Sequence, residues 1–476
     1  MKNRVFKNYL AFSIGTWVSL VISFFSTPIT SYLIPPGEFG KASLFYTIYS
    51  LVSLIVQCGT LNSLIRFYYK YDEKNALFYS SILIPFFGIL FVTPVLFALK
   101  EKIDSVFQTG YPATFVLAML FSLLFGIIQQ YTLTLLRVQQ KGVLYSFLSI
   151  LTQIVNLTIA IIYSLFINKS FYALVISQLV SYITVSVVSI FLLRELLKKI
   201  KIDLKITKKV FMYGYPFLFT AIVWWIVSGT DKIMIRFYKD FSQLGLYAAA
   251  NKLVAAMGIF TSGFNTMWYP YVYEKYEKEG EGIKERISKI FNYVSFLVVS
   301  LSVLLMSFKD LIFLLFAKQY RNAASISPFL LTYPAIMSMA VIVARGIDFK
   351  NKTYWFIVSD TFGAVSNVIL NILLIPVLGA RGAAIASGVS YFLIFLVEFI
   401  VSQKLFYVLY DKLKVFFGIV LLYLSAIINT FFSKSLLLFC LNVFIISVLL
   451  MIYKTEALYI LKNFKNIIDV KGVKKV

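Results

Sequence analysis

Apolar residues along this chain gather into runs of about 20, separated by short polar breaks. A helix rising 1.5 Å per residue needs a run of that length to span the hydrocarbon core of a bilayer. The pattern predicts fourteen transmembrane helices, over residues 9–33, 42–64, 77–99, 112–136, 144–167, 170–193, 211–235, 243–269, 290–308, 324–344, 353–377, 382–402, 413–432 and 435–453. The breaks are too short to hold a soluble domain, so the work of the chain is expected within the membrane.

Charge then orients these spans. With the N-terminus in the cytoplasm, the inside segments hold 32 of the 45 Lys and Arg residues and the outside loops hold eleven. Only Lys232 and Lys252 fall within spans. This asymmetry follows the positive-inside rule and places both termini in the cytoplasm of a polytopic protein of the bacterial cytoplasmic (inner) membrane. The net charge of +24 is therefore mostly topology and attraction to anionic lipid, not nucleic-acid binding. The basic start, Lys2 to Lys7, looks like that of a signal peptide. The apolar stretch after it runs to Leu33 with no small-residue cleavage site, and is expected to stay as the first span.

Composition removes several chemistries. There is no histidine, so imidazole metal sites, Ser-His-Asp nucleophiles and histidine proton relays are excluded. Cys58 and Cys440 are isolated in apolar spans and offer neither a disulfide framework nor a thiolate metal site. No Walker A loop occurs, and the loops lack the charged clusters of membrane transferases. The chain is expected to be no enzyme and to need no cofactor.

The chain also repeats. An ungapped shift of 205 lays Val5-Phe6 on Val210-Phe211, Gly40 on Gly245 and Lys70-Tyr71 on Lys275-Tyr276. Arg137 meets Arg345 at a shift of 208, and Asn156 meets Asn367 at 211. Six spans per half is an even number, so the halves share one orientation, related by an axis along the membrane normal. The expected fold is all-α and integral to the membrane: two six-helix bundles related by a pseudo-twofold, plus two extra C-terminal helices. Its parts are an N-terminal lobe, 1–194, a basic cytoplasmic linker, 195–209, a second lobe, 210–403, and the last two spans with the tail, 404–476. Two such bundles suit alternating access.

Ser228-Gly229-Thr230-Asp231-Lys232, the run from Leu244 to Leu253 (LGLYAAANKL), and Asn371 to Pro376 leading into Gly379-Ala380-Arg381-Gly382 resemble the polysaccharide (O-antigen) repeat-unit flippases. These belong to the multidrug/oligosaccharidyl-lipid/polysaccharide exporter superfamily. The resemblance covers essentially the whole chain through degenerate motifs. It implies flipping of undecaprenyl-diphosphate-linked oligosaccharide for O-antigen, capsule or similar surface polymers, with a polysaccharide polymerase as a partner. The competing reading is a cation-coupled multidrug exporter of the same superfamily, whose cavity would be more apolar and acidic. A scaffold for glycan enzymes is a third reading, and it needs no buried charge.

Charge buried in spans is costly and marks the candidate site. Asp231 and Lys232 on span 7 and Lys252 on span 8 all lie roughly 10 Å below the outer surface, by helical rise. Either Lys232 and Lys252 attract the substrate diphosphate, or Lys252 pairs structurally with Asp231 while Lys232 snorkels outward. Arg66, Arg137 and Arg345 close the inner ends of spans 2, 4 and 10, as a diphosphate-loading ring or as plain interfacial anchors. Asp360, Asn367 and Asn371 share one face of span 11. With Asp231, that stripe either binds a coupling Na⁺ or H⁺ or holds helices together. Glu398 is expected at the inner interface. Trp224 and Trp225, in the middle of span 7, either stack on sugar or pack in the core.

Overall fold

The computed structural model describes residues 2–192, 194, 200–432 and 436–468. Residues 195–199 of the expected linker and 469–476 of the tail lie outside the described residues. Every element among the described residues is helical, and each expected span falls on a helix except the second, which two helices share. The chain divides into two compact units, Met1–Ala248 and Ala249–Val476.

The first unit holds α1 (Lys2–Ser31), α2 (Pro36–Gln57), α3 (Thr60–Phe67), α4 (Lys74–Ala98), α5 (Lys100–Phe107), α6 (Pro112–Val138), α7 (Gly142–Phe166), α8 (Tyr172–Leu192), α9 (Leu204–Tyr238) and the opening of α10 (Phe241–Glu279). Sequence explains the joints. Pro36 opens α2, where its missing N–H costs nothing. Cys58 and Gly59 both adopt left-handed backbone, at φ 46° and 67°, and split the expected second span into α2 and α3. Asp203 caps α9 by accepting from the backbone N–H of Lys205 at 2.7 Å.

α9 packs on α2, α3 and α4. Ser63 Oγ donates to the Val210 carbonyl at 2.7 Å, and a Cβ on Gly214 would meet the Cys58 carbonyl and the Gly59 backbone. Ile206 and Val210 join a buried core with Leu64, Leu77, Ile127 and Tyr131. The first compact unit therefore runs past the linker and takes in span 7.

The repeat has a structural trace inside this unit. A Cβ on Gly40 would run into the Phe241 carbonyl, and one on Gly245 into the Pro36 carbonyl.

The second unit holds the rest of α10, α11 (Lys284–Ser307), α12 (Ser327–Val343), α13 (Arg345–Phe349), α14 (Tyr354–Leu378), α15 (Ala380–Leu405), α16 (Lys412–Phe431), α17 (Leu436–Ile452) and α18 (Lys454–Ile468). α14 and α15 form a tight hairpin around Gly379, at φ 58°. There the small residues Gly382, Ala383, Ala384 and Ala386 are buried, which lets the backbones approach. α16 packs on α11 and α12, and the buried amides of Asn429 and Asn442 pair α16 with α17, Asn429 donating at 2.8 Å. The opposite face of α14 shows Ile357, Phe362, Val365, Ile369, Leu373 and Val377 to the outside, the inverse of a water-soluble surface and suited to lipid.

Among the described residues, twelve stretches are long and apolar enough to cross a membrane. They become thirteen if Leu437–Ile452 and Lys454–Lys462, bent by 84°, form one broken span. The number falls below fourteen for two reasons. Spans 8 and 9 run together as one stretch, Phe241–Ser307. α17 has only 17 residues.

Candidate functional site

In the first unit, the charges expected at the site differ sharply in environment. Asp231 is only 1% exposed. The Tyr247 hydroxyl donates to its Oδ2 at 2.5 Å, tying α9 to the opening turns of α10. Such a charge-assisted bond lowers the cost of holding a carboxylate in an apolar span. Lys232, the next residue, is half-buried. The successive side chains diverge by about 100° around the helix. Arg66 and Arg137 are exposed in the last turns of α3 and α6, where a cation suits the helix dipole. Trp225 lies in the packed wall of the unit, its Nε1 donating to the Thr47 carbonyl at 3.2 Å and to Ser50 Oγ at 3.0 Å. Trp224 is more open, at 37% exposure.

In the second unit, Arg345 does not share the exposure of Arg66 and Arg137. It is 4% exposed. It pairs with Asp348 one turn on. Its Nε donates to the Val341 carbonyl at 2.8 Å and one terminal nitrogen donates to the Tyr273 hydroxyl at 3.1 Å. The guanidinium also lies over the Tyr269 ring, 4.8 Å from its centroid. The repeat-related arginines are thus placed differently, because α13 turns Arg345 into a pocket of Asp348 and tyrosines.

Asn367 and Asn371 are fully buried, and Asn371 Nδ2 donates to Asn367 Oδ1 at 3.0 Å, one turn away. Asp360, on the same helix, is half-buried, and so is Lys252 on α10. Glu398 is more buried than its place near a span end suggested. It is 6% exposed within α15, packed among helices, and the Ser359 hydroxyl donates to it at 3.4 Å. Distance from a span end, counted along the chain, said nothing of this. Asp348 carried a usable signal, the i, i+3 spacing from Arg345, whereas Tyr247 and Tyr273 carried none.

Comparison with known proteins places these features in a family. Residues 29–325, more than half of the chain, match the family described as polysaccharide biosynthesis protein. The probable low-salt glycan biosynthesis flippase Agl15 of Haloferax volcanii is 24% identical over 193 residues, 40% of this chain and 41% of that protein. The uncharacterized membrane protein MJ1068 of Methanocaldococcus jannaschii is 26% identical over 217 residues, 44% of this chain and 42% of that protein. The chain thus spans about two fifths of the length of these curated relatives.

Among solved structures, lipid II flippase MurJ in an inward closed conformation superposes with a TM-score of 0.68 at 15% identity, covering 94% of this chain and 98% of that one. An inward-facing multidrug resistance MATE family transporter of the MOP superfamily gives 0.55 at 15% identity, covering 81% and 94%. At such identities the likeness shows the fold. By the match over residues 29–325, the chain belongs to the polysaccharide biosynthesis protein family, and it shares the all-helical fold of these two transporters.

Proposed function

We propose that the protein carries lipid-linked oligosaccharide from the inner to the outer leaflet of the cytoplasmic membrane by alternating access, as a step of surface polysaccharide assembly. The observation that carries this reading is positive charge set inside apolar helices, Lys232 on α9 and Lys252 on α10. A diphosphate crossing a low-dielectric slab needs compensating cations along its way. Arg66 and Arg137, exposed at helix ends, suit its loading from the cytoplasm. Family membership supports the reading, as does the likeness to a relative named as a probable glycan biosynthesis flippase.

In this proposal the two six-span halves, 1–194 and 210–403, alternate about the bound lipid. Na⁺ or H⁺ at Asp231 or at Asp360 and Asn367 drives the cycle, and a polymerase takes up the delivered glycan. Both termini stay in the cytoplasm.

Glu398 and Asp231, two buried carboxylates, favour a second reading, a cation-coupled multidrug exporter. The test is delivery of lipid-linked glycan to the outer leaflet in cells with and without the gene, run beside efflux of a lipophilic cation dye. Loss of delivery with unchanged efflux upholds the flippase reading. The reverse pattern overturns it in favour of the second.

A further inference from the structure

Inside the first unit, a cavity of about 360 Å³ is lined by residues of α2, α3, α6 and α9. Its volume falls in the ~300–1,000 Å³ range of small-ligand sites. The polar part of the wall is Tyr49, Ser50, Ser53 and Gln57 from α2, Asn62 from α3 and Gln130 from α6, and none of the lining residues is charged. Tyr49 and Phe217 add aromatic surface.

Such a wall is selective by chemistry. Amide and hydroxyl side chains both donate and accept hydrogen bonds, whereas ammonium and guanidinium only donate and carboxylates only accept. Sugar hydroxyls also do both, and the apolar faces of sugar rings pack on aromatic rings. A diphosphate would meet no cation here, and an organic cation would meet no carboxylate.

Part of the wall is preset. Gln57 Nε2 donates to Ser53 Oγ at 2.7 Å, and Trp225 Nε1 holds Ser50 Oγ at 3.0 Å. The side-chain amides of Asn62 and Gln130 have no hydrogen-bond partner among the described residues. Asn62 is exposed and Gln130 half-buried, so both amides are open to a ligand.

We infer that this cavity is a binding site for the uncharged sugars of the carried glycan, separate from the basic residues that meet the diphosphate. The inference rests on the flippase reading and names the part of the substrate that this site takes. The probe is the neutral oligosaccharide of the producing organism's surface polymer, freed of lipid and phosphate by mild acid. It is titrated calorimetrically into purified full-length protein with and without inorganic pyrophosphate. Saturable binding that excess pyrophosphate does not displace is expected, with Kd raised at least tenfold by Asn62→Ala and by Gln130→Leu. Both substitutions fall on side chains without internal partners, and thermal unfolding confirms that the variants are folded.

Absence of binding to the wild-type protein overturns the inference, and so does displacement by pyrophosphate or an unchanged Kd in both variants. Leaflet delivery by the wild-type protein in cells separates the two readings. Normal delivery with any of these negative results removes the sugar site alone. Failed delivery removes the flippase reading.

Discussion

Gly40 and Gly245 pack backbone to backbone, each under a carbonyl that stands four residues before the other, that of Phe241 over Gly40 and that of Pro36 over Gly245. Both glycines and both carbonyl residues are 205 positions apart, the shift at which the sequence repeats. Such reciprocity is what a local twofold requires: each half offers the same surface to the other. No side chain larger than hydrogen fits on either side of the crossing.

Gly40→Ala and Gly245→Ala should each destabilise the protein by about 1–3 kcal/mol through overpacking against backbone that cannot retreat. Gly37→Ala, one turn earlier on α2 with open space around it, should be near neutral. Thermal unfolding in detergent compares the three. Equal stability of all of them would show that the crossing tolerates a methyl group.

Removing one member of the Arg345–Asp348 pair, in which Arg345 is buried and Asp348 half-buried, leaves the other uncompensated. Arg345→Gln should cost up to about 3 kcal/mol, and a double replacement of both by apolar residues should recover much of it. A protein-level assay in membranes, followed by unfolding in detergent, reads the difference.

The charge asymmetry of the sequence and the burial of Arg345 predict thiol accessibility on a Cys58→Ala, Cys440→Ala background. Arg66→Cys and Arg137→Cys should react with an impermeant maleimide from the cytoplasmic side, and Arg381→Cys from outside. Arg345→Cys should react slowly from either face, as its position is 4% exposed. Fast outside labelling at position 345 would reverse the topology of the second unit.

Tyr247→Phe removes the hydroxyl that satisfies Asp231 and should cost about 1.5–3 kcal/mol, the range for hydrogen bonds to charged groups. Lys232→Ala should leave protein levels normal and lower glycan delivery. Normal delivery by that variant would separate Lys232 from the substrate.

Asp360→Asn should slow glycan delivery, as should collapse of the proton or sodium gradient. Delivery that persists after both gradients are dissipated would identify a downhill, substrate-driven flippase, and the substitution should then be near silent.

Span positions were legible along the chain because a bilayer demands a fixed apolar length, a one-dimensional quantity. The pairing of Gly40 with Gly245 was visible as a shift in register, though not as a contact. The fates of individual charges were not legible. Arg66, Arg137 and Arg345 look equivalent at the ends of their spans, yet only Arg345 is buried among Asp348, Tyr269 and Tyr273. The burial of Glu398 had no signal along the chain, and the uncharged cavity left no linear signature, because its wall collects Gln57, Asn62 and Gln130 from three helices. Burial depends on which faces of which helices meet. Packing of α9 on α2, α3 and α4 settles that in the first unit, and the α14–α15 hairpin settles it around Glu398 in the second.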